Sequence, residues 1–204
     1  MPNFTRLSGN CAATLNQLCS LLEEDEVLTE ESEEYKANSQ PWAAQKDQKP
    51  PLVIRPTSVK SLSTVVARLY SSDIDFAIRG HGFSSASAKD VIVSMTAFDD
   101  FEFDTKEEWA VVGAGQTWSE VYDKMEKVAP DFALVGARTP AISVGGTVMN
   151  GGYSWLSREY GCISDPVNML DAEIVKGDGT VAWASSEPDL LWALRGGGGG
   201  FCGE

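Results

Sequence analysis

Two closely spaced pairs of glycines limit how residues 137–165 can fold. Gly145 with Gly146, and Gly151 with Gly152, lie between small apolar residues in the stretch A-R-T-P-A-I-S-V-G-G-T-V-M-N-G-G-Y-S-W. Glycine adopts positive φ angles and lets the backbone approach a neighbour without a Cβ in the way. The pattern therefore indicates either a segment wrapped against a large flat ligand or two tight turns whose amides point at an anion. A pair of glycine-rich hairpins with no ligand is the simpler alternative.

A second loop of similar composition follows a short apolar strand at residues 76–87, which read F-A-I-R-G-H-G-F-S-S-A-S. Arg79, the two glycines after it and the small hydroxyl residues offer a positive charge, backbone N–H groups and hydroxyls to a pyrophosphate. Neither loop has the spacing of a P-loop or of the Rossmann dinucleotide motif. The sequence therefore does not support those two classes of phosphate site.

Four motifs occur in a fixed order along the chain. They are R-G-H-G-F-S at 79–84, T-P-A-I-S-V-G-G-T-V-M-N-G-G at 139–152, Y-G with a following Asp at 160–165, and D-L-L-W-A-L-R-G-G-G-G-G-F at 189–201. Together they resemble the FAD-binding domain of the vanillyl-alcohol oxidase and p-cresol methylhydroxylase (PCMH) superfamily, and most of all the berberine-bridge-enzyme-like oxidoreductases of fungi and plants. The resemblance extends from about Lys49 to the C-terminus.

This resemblance implies an α+β fold, the PCMH-type FAD-binding domain. We expect a small parallel βαβ lobe at residues 52–94 and a larger mixed or antiparallel lobe at residues 109–183, with FAD between them. Residues 1–47 are expected to form an N-terminal helix and an acidic lead segment. Residues 48–204 are expected to form the FAD-binding domain, incomplete at its C-terminus and without the substrate domain of the family.

The resemblance also assigns the residues that contact the cofactor. They are Arg79, Gly80, His81, Gly82, Phe83, Ser84, Ser85, Thr139, Ser143, Gly145, Gly146, Asn150, Gly151, Gly152, Tyr160, Asp165 and Val175. Phe83 stands where the family carries its flavin-linking histidine, and Thr139 stands where doubly linked members carry a cysteine. We therefore expect FAD to be held without a covalent bond. His81 occupies a family glycine, and it either links the flavin through a shift of two residues or hydrogen-bonds a phosphate or the backbone.

The expected function is a flavin-dependent oxidation of a small organic substrate, in specialised metabolism, with dioxygen as the electron acceptor. In the family the catalytic base lies on the substrate domain, so no catalytic residue is assigned. Tyr122, Tyr153 and Tyr160 are candidate bases, although each is more typical of a packed aromatic with a bonded hydroxyl. Two alternatives remain open: a non-catalytic FAD-binding remnant, and a flavoprotein cyclase that uses FAD structurally.

Charge and cysteine spacing exclude several other classes of partner. The formal net charge of −14 argues against nucleic acids and anionic membrane surfaces, which require basic patches. The four cysteines and the one histidine lack the spacing of a zinc site, so no metal is expected. No secretion signal or membrane span is visible, so a cytoplasmic location is the default expectation, although relatives are often secreted. The sequence leaves the oligomeric state open.

Hydrophobic periodicity predicts the elements of the lead segment. Leu15, Leu18 and Leu22 recur at helical spacing after a cap at Ser8 or Asn10. Residues 23–34 hold eight carboxylates, which predicts a solvated helix end and loop or, alternatively, an acidic docking tail. The proline-containing residues 35–51 are expected to form an extended connector.

Further elements follow from the same patterns. A strand at 52–55, a helix from residue 59 and a strand at 75–79 make the βαβ unit. Strands at 91–95 and 109–112 are expected to be neighbours across an acidic turn. The capping box of Thr117 and Glu120 begins a helix, and a strand at 131–136 should follow it. A hairpin at 172–183 turns at G-D-G, and Pro188 begins a short helix.

Overall fold

The computed structural model describes residues 9–198, which form two compact units. The first unit contains residues 9–97 together with Val175–Val181, and the second contains Phe98–Ile174 together with residues 182–198. Ser8, the alternative helix cap, and the last residues of the fourth motif lie outside the described range.

A four-stranded sheet forms the centre of the first unit. The elements are α1 (Gly9–Cys19), β1 (Val27–Leu28), α2 (Tyr35–Ser39), β2 (Leu52–Ile54), α3 (Val59–Tyr70), β3 (Phe76–Arg79) and β4 (Val91–Ser94). The strand order is β1-β2-β4-β3, in which β4 is parallel to both β2 and β3 and β1 is antiparallel to β2. The predicted parallel βαβ lobe is therefore confirmed.

Continuous apolar runs explain the two central strands. All three residues of β2 and the first three of β4 are fully buried, as expected for parallel strands covered on both faces. Helix α3 buries the stripe predicted from its spacing, including Leu62, Val65 and Leu69. Its first turn is capped reciprocally by Ser58 and Ser61.

The lead segment differs from the prediction in three respects. Helix α1 ends at Cys19, so Leu22 lies beyond it. Residues 23–34 are not a solvated loop throughout, because Val27 and Leu28 form the edge strand β1 and Glu26 is only 2% exposed. Residues 35–51 are not simply extended, because they contain α2, which contacts β2 and β4.

Specific hydrogen bonds account for the burial of Glu26 within a run of acids. Its Oε1 accepts from the backbone N–H of Thr57 at 2.7 Å and from the Thr57 hydroxyl at 2.9 Å. Its Oε2 accepts from the backbone N–H of Glu23 at 3.1 Å. Burial raises the pKa of this carboxyl, but hydrogen bonds from Ser61, Thr57 and Glu23 outweigh burial and leave the pKa below its ordinary value.

The second unit is built from short antiparallel pairs and helices. Its elements are β5 (Phe101–Asp104), β6 (Trp109–Val112), α4 (Trp118–Val128), α5 (Val144–Met149), α6 (Ser157–Tyr160) and α7 (Pro188–Leu194). The strands β7 (Glu173–Val175) and β8 (Val181–Trp183) form the predicted hairpin, whose tip belongs to the first unit and whose base belongs to the second.

Two strand predictions for the second unit are wrong. The strand at 109–112 does not neighbour β4, because it pairs antiparallel with β5. The F-E-F-D sequence of β5 alternates as a strand does, but its acidic residues led to the prediction of a turn. Residues 131–136 form no strand, since the amides of Phe132 and Gly136 bond locally to the carbonyls of Ala129 and Leu134.

The core of the second unit lies beneath α4. The predicted capping box is present, with the Glu120 carboxylate accepting from the Thr117 N–H at 2.7 Å and from its hydroxyl at 2.8 Å. Buried side chains of α4 pack with Ala137, Val144 and Ile163. The glycine-rich segment is thereby anchored to the core by its apolar residues. No helix in residues 9–198 is long and apolar enough to cross a membrane.

The Glu26 contacts predict a pH-dependent contribution to stability. Glu26→Ala should lower the free energy of unfolding by about 2 kcal/mol near neutral pH, because Thr57 and Glu23 lose a buried charged acceptor. Since the folded-state pKa lies below its ordinary value, the contribution is present above the unfolded-state pKa and is lost as the pH falls through the folded-state pKa.

Urea unfolding of the wild-type chain and of Glu26→Ala, measured from neutral pH down to about 3, below the ordinary carboxyl range, tests this expectation. The gap between the two proteins should narrow as the pH falls. Glu24→Ala, at an exposed neighbouring carboxylate, is the matched control and should cost little. A gap that is independent of pH contradicts the prediction.

Candidate functional site

The loop after β3 folds tightly around its own arginine. Gly82 has φ of 71° and Ser85 has φ of 63°, and the Ser85 N–H donates to the Gly82 carbonyl at 3.0 Å. A Cβ on Gly82 would lie 2.4 Å from Nη2 of Arg79, so only glycine fits between the loop and the guanidinium. His81, Phe83 and Ser84 are exposed.

Arg79 lies beneath this loop and is only 3% exposed. Its Nη2 donates to the carbonyls of Ala37 at 3.2 Å and Gln40 at 2.8 Å. Its Nε and Nη1 are buried and have no hydrogen-bond partner within residues 9–198. Burial lowers the pKa of the guanidinium, while the charge of Asp47 acts in the opposite direction. The positive charge is therefore almost entirely shielded from solvent.

Residues of the lead segment hold the loop from the other side. The Trp42 N–H donates to the Gly82 carbonyl at 3.1 Å, and the Ala43 N–H donates to the Ser85 hydroxyl oxygen at 3.2 Å. The sequence does not predict this support, because hydrogen bonds to backbone carbonyls leave no residue pattern. The one available signal was a tryptophan in an otherwise polar segment.

The first glycine pair of the second unit lies in a helix. Gly145 and Gly146 belong to the first turn of α5, after Ser143, and not to a hairpin or a tight turn. The Gly145 N–H donates to the Ala114 carbonyl at 3.1 Å, and a Cβ on Gly145 would lie 3.2 Å from that oxygen. This glycine therefore permits a close backbone approach. A Cβ on Gly146 would meet the Ser143 hydroxyl oxygen at 3.5 Å, which is an ordinary contact.

The second glycine pair forms the turn that the sequence predicts. Gly151 and Gly152 have φ of 91° and 65°. Their carbonyls accept from the N–H groups of Ser164 at 3.0 Å and Ile163 at 3.1 Å. A Cβ on Gly152 would lie 2.6 Å from Cδ1 of Ile163, so the residue must be glycine. The Asn150 side-chain amide donates to the Gly146 carbonyl at 2.7 Å and closes the turn onto α5.

The glycine run near the C-terminus packs against the same turn. The Gly198 N–H donates to the Met149 carbonyl at 2.7 Å, and a Cβ on Gly196 would lie 3.6 Å from the Gly151 Cα. The Arg195 guanidinium donates to the carbonyl of Met169 through Nε at 3.1 Å and through Nη2 at 2.7 Å. The fourth sequence motif therefore packs against the glycine turn of the second sequence motif.

The remaining predicted residues are spread over the second unit and the hairpin. Asp165 accepts from the Cys162 N–H at 2.7 Å, and a Cβ on Gly161 would lie 2.2 Å from its carboxylate, so Asp165 orders a turn. Tyr160 and Thr139 are exposed, and Val175, in the hairpin, is half-buried.

The candidate bases differ in their surroundings. The Tyr122 hydroxyl donates to the Ala137 carbonyl at 2.7 Å, and burial raises its pKa, so Tyr122 is a packed aromatic with a bonded hydroxyl. Tyr153 and Tyr160 are 70% and 55% exposed. The Tyr153 carbonyl accepts from the backbone N–H of Arg138. The guanidinium of Arg138 lies 5.4 Å from the centre of the Trp155 ring.

Metal-binding chemistry finds no support in residues 9–198, where no group of three His, Cys, Asp or Glu side chains is placed to hold an ion. Cys11, Cys19 and Cys162 are free thiols. Burial raises the pKa of Cys19 to about 11, so this thiol stays protonated and unreactive at neutral pH.

Comparison with protein families matches residues 50–185 to the family described as FAD binding domain. FAD-dependent monooxygenase tpcD of Cochliobolus heterostrophus is 34% identical over 166 residues, which cover 78% of this chain and 32% of the relative. Berberine bridge enzyme-like D-2 of Nicotiana tabacum is 30% identical over 171 residues, which cover 79% of this chain and 30% of the relative. The chain spans about a third of the length of these curated relatives.

Solved structures share the fold. A variant of Phl p 4, described as a glucose dehydrogenase, matches with a TM-score of 0.83 at 24% identity and covers 93% of this chain and 41% of that one. A berberine bridge enzyme in complex with (S)-reticuline matches with a TM-score of 0.79 at 20% identity and covers 95% and 41% of the two chains. At these identities the likeness carries the fold alone, and it confirms the α+β architecture expected from the motifs.

Glycine substitutions should separate positions that need glycine from one that does not. Gly152→Ala should lower the free energy of unfolding by about 1–3 kcal/mol, because it combines a positive φ with a steric conflict at Ile163. Gly146→Ala, in the neighbouring pair, should stabilise by up to about 1 kcal/mol, because alanine is the better helix former and its Cβ would make only an ordinary contact with Ser143. Denaturant unfolding measures both, and equal effects at the two positions contradict the assignment of helix and turn.

Proposed function

Because this chain belongs to the FAD binding domain family, we propose that it is the flavin-binding part of an FAD-dependent oxidoreductase of the berberine-bridge-enzyme-like group. The observation that carries this proposal is the match of the family's sequence pattern to residues 50–185. The substrate that we propose is a small organic molecule of specialised metabolism, and the proposed electron acceptor is dioxygen. Relatives described as FAD-dependent monooxygenases support this class of chemistry.

The loop after β3 suits the pyrophosphate of FAD. Its backbone turns at Gly82 and Ser85, its hydroxyls are those of Ser84 and Ser85, and the buried Arg79 lies directly beneath it. A buried guanidinium with two nitrogens that lack hydrogen-bond partners destabilises the fold unless an anion offsets its charge. A pyrophosphate held on the loop would supply that negative charge.

The candidate cofactor residues of the second unit are of a different kind. Gly151 and Gly152 expose backbone without a Cβ, and exposed Thr139 and Asn150 offer a hydroxyl and an amide. The N–H of Gly145 is already bonded to Ala114, so we assign Gly145 to backbone approach and not to phosphate binding. When bound, FAD supplies the two-electron acceptor of the reaction. We assign no catalytic base to this chain.

The attachment that we propose is non-covalent. The side chains at the two positions where the family forms its bonds are Phe83 and Thr139, and neither carries the imidazole or thiol that makes them. His81, exposed on the same loop, is the one imidazole in the chain. Retention of FAD then depends on hydrogen bonds and charge, both of which denaturants disrupt.

FAD titration tests the proposed function and the role of Arg79 together. The wild-type chain should turn yellow and quench flavin fluorescence on binding, and Arg79→Met should bind at least about tenfold more weakly because charge and hydrogen bonds are lost. Arg79→Lys, which keeps the charge but not the guanidinium that donates through Nη2 to Ala37 and Gln40, should be intermediate. Added salt should weaken binding by the wild-type chain more than by Arg79→Met.

Thermal unfolding of each variant without FAD separates loss of binding from loss of fold. A wild-type chain that stays colourless with excess FAD contradicts the proposed function. The acceptor is tested by reducing the bound flavin chemically without air and then admitting dioxygen. Reoxidation slower than that of free reduced FAD contradicts dioxygen as the acceptor.

Acid precipitation tests the absence of a covalent bond. Flavin should stay in the supernatant for the wild-type chain and equally for His81→Ala, the control that lacks an imidazole. Mass spectrometry of the digested pellet should find no peptide carrying FAD. A flavin-bearing peptide that contains His81 contradicts the prediction and identifies this histidine as the attachment site.

A further inference from the structure

Residues 37–43, which we name the lead strap, bond to the candidate cofactor loop through both backbone and side chain. The carbonyls of Ala37 and Gln40 accept from Nη2 of Arg79 at 3.2 and 2.8 Å. The Trp42 N–H donates to the Gly82 carbonyl at 3.1 Å, and the Ala43 N–H donates to the Ser85 hydroxyl oxygen at 3.2 Å. The strap precedes residues 50–185, which match the family pattern, so that pattern assigns it no role.

The strap places an exposed aromatic ring beside the loop. Trp42 is 74% exposed and Phe83 is 51% exposed. Their ring centres are 6.0 Å apart, and their planes are inclined by 38°. Aromatic side chains of this size usually bury most of their surface, and adjacent exposed rings are typical of a recognition surface. The backbone bond from Trp42 to Gly82 fixes the ring's position without burying it.

We propose that Trp42, with Phe83, forms an aromatic contact surface for the isoalloxazine ring of FAD. This inference rests on the proposed function, since it requires FAD on the neighbouring loop. The isoalloxazine ring has three fused rings and is wide enough to contact two side chains whose centres are 6.0 Å apart. Adenine is smaller and would cover one of them. Aromatic contact to a flat conjugated ring is favourable because it buries apolar surface on both partners.

Binding of three ligands to three variants tests the proposal. Trp42→Ala should weaken FAD binding by about tenfold, as expected for the loss of one aromatic stacking partner. Trp42→Phe should restore most of the affinity. Trp192→Ala is the matched control, because Trp192 is 80% exposed and lies on α7 in the second unit. It should bind FAD as the wild type does. Because Trp42 is exposed, its removal leaves no cavity, and thermal unfolding without ligand should be unchanged.

The choice of ligand identifies the ring. FMN, which lacks adenine, should show the same relative loss with Trp42→Ala, and ADP, which lacks isoalloxazine, should show none. Equal losses for ADP and FAD overturn the assignment to isoalloxazine. Trp42→Ala that binds FAD as tightly as the wild type overturns this inference alone. A wild-type chain that binds no FAD contradicts the proposed function and this inference with it.

Discussion

A buried positive charge, the guanidinium of Arg79, is the main electrostatic constraint on the first unit. Arg79 ends β3, and its guanidinium is covered by the loop that follows and by the lead strap. Two carbonyls satisfy one nitrogen, and the other two N–H-bearing nitrogens are left without protein partners in residues 9–198. Such an arrangement is expensive for the protein alone. An anion on the loop, as we propose, would offset this charge and would link the stability of the first unit to ligand binding through one side chain.

Close steric fit around glycines determines the backbone of the second unit, whereas a buried charge is the main constraint in the first. Gly152 and Gly161 combine positive φ with a Cβ position that Ile163 or Asp165 already occupies. Gly145 allows α5 to approach residue 114. Glycines of the segment 143–165 therefore permit close backbone contacts, while the side chains of Tyr153, Trp155 and Tyr160 remain exposed.

The sequence predicts the architecture well where patterns are local or motifs are ordered. The capping box at Thr117 predicts α4, and the apolar stripe predicts α3. The order of the four motifs predicts the family and, with it, the parallel lobe. Predictions failed where contact with another segment of the chain, distant or near in sequence, decides the structure. Glu26 is buried because Thr57, far along the chain, satisfies its carboxylate, and Phe101–Asp104 forms a strand because Trp109–Val112 pairs with it. The Arg79 contacts could not be predicted, because backbone carbonyls carry no sequence signature.

The lead strap and β1 also affect how the boundary of the folding unit should be drawn. The match to the family's sequence pattern begins at residue 50, yet Leu28 and Tyr35 pack on Val53 and Ile92, and β1 bonds the outer edge of β2. A polypeptide cut at that residue would expose this edge to pairing with other chains. It would also strip the carbonyl acceptors from a buried cation. The start of the family pattern therefore does not coincide with the edge of the first unit, because Leu28 and Tyr35 belong to its hydrophobic core.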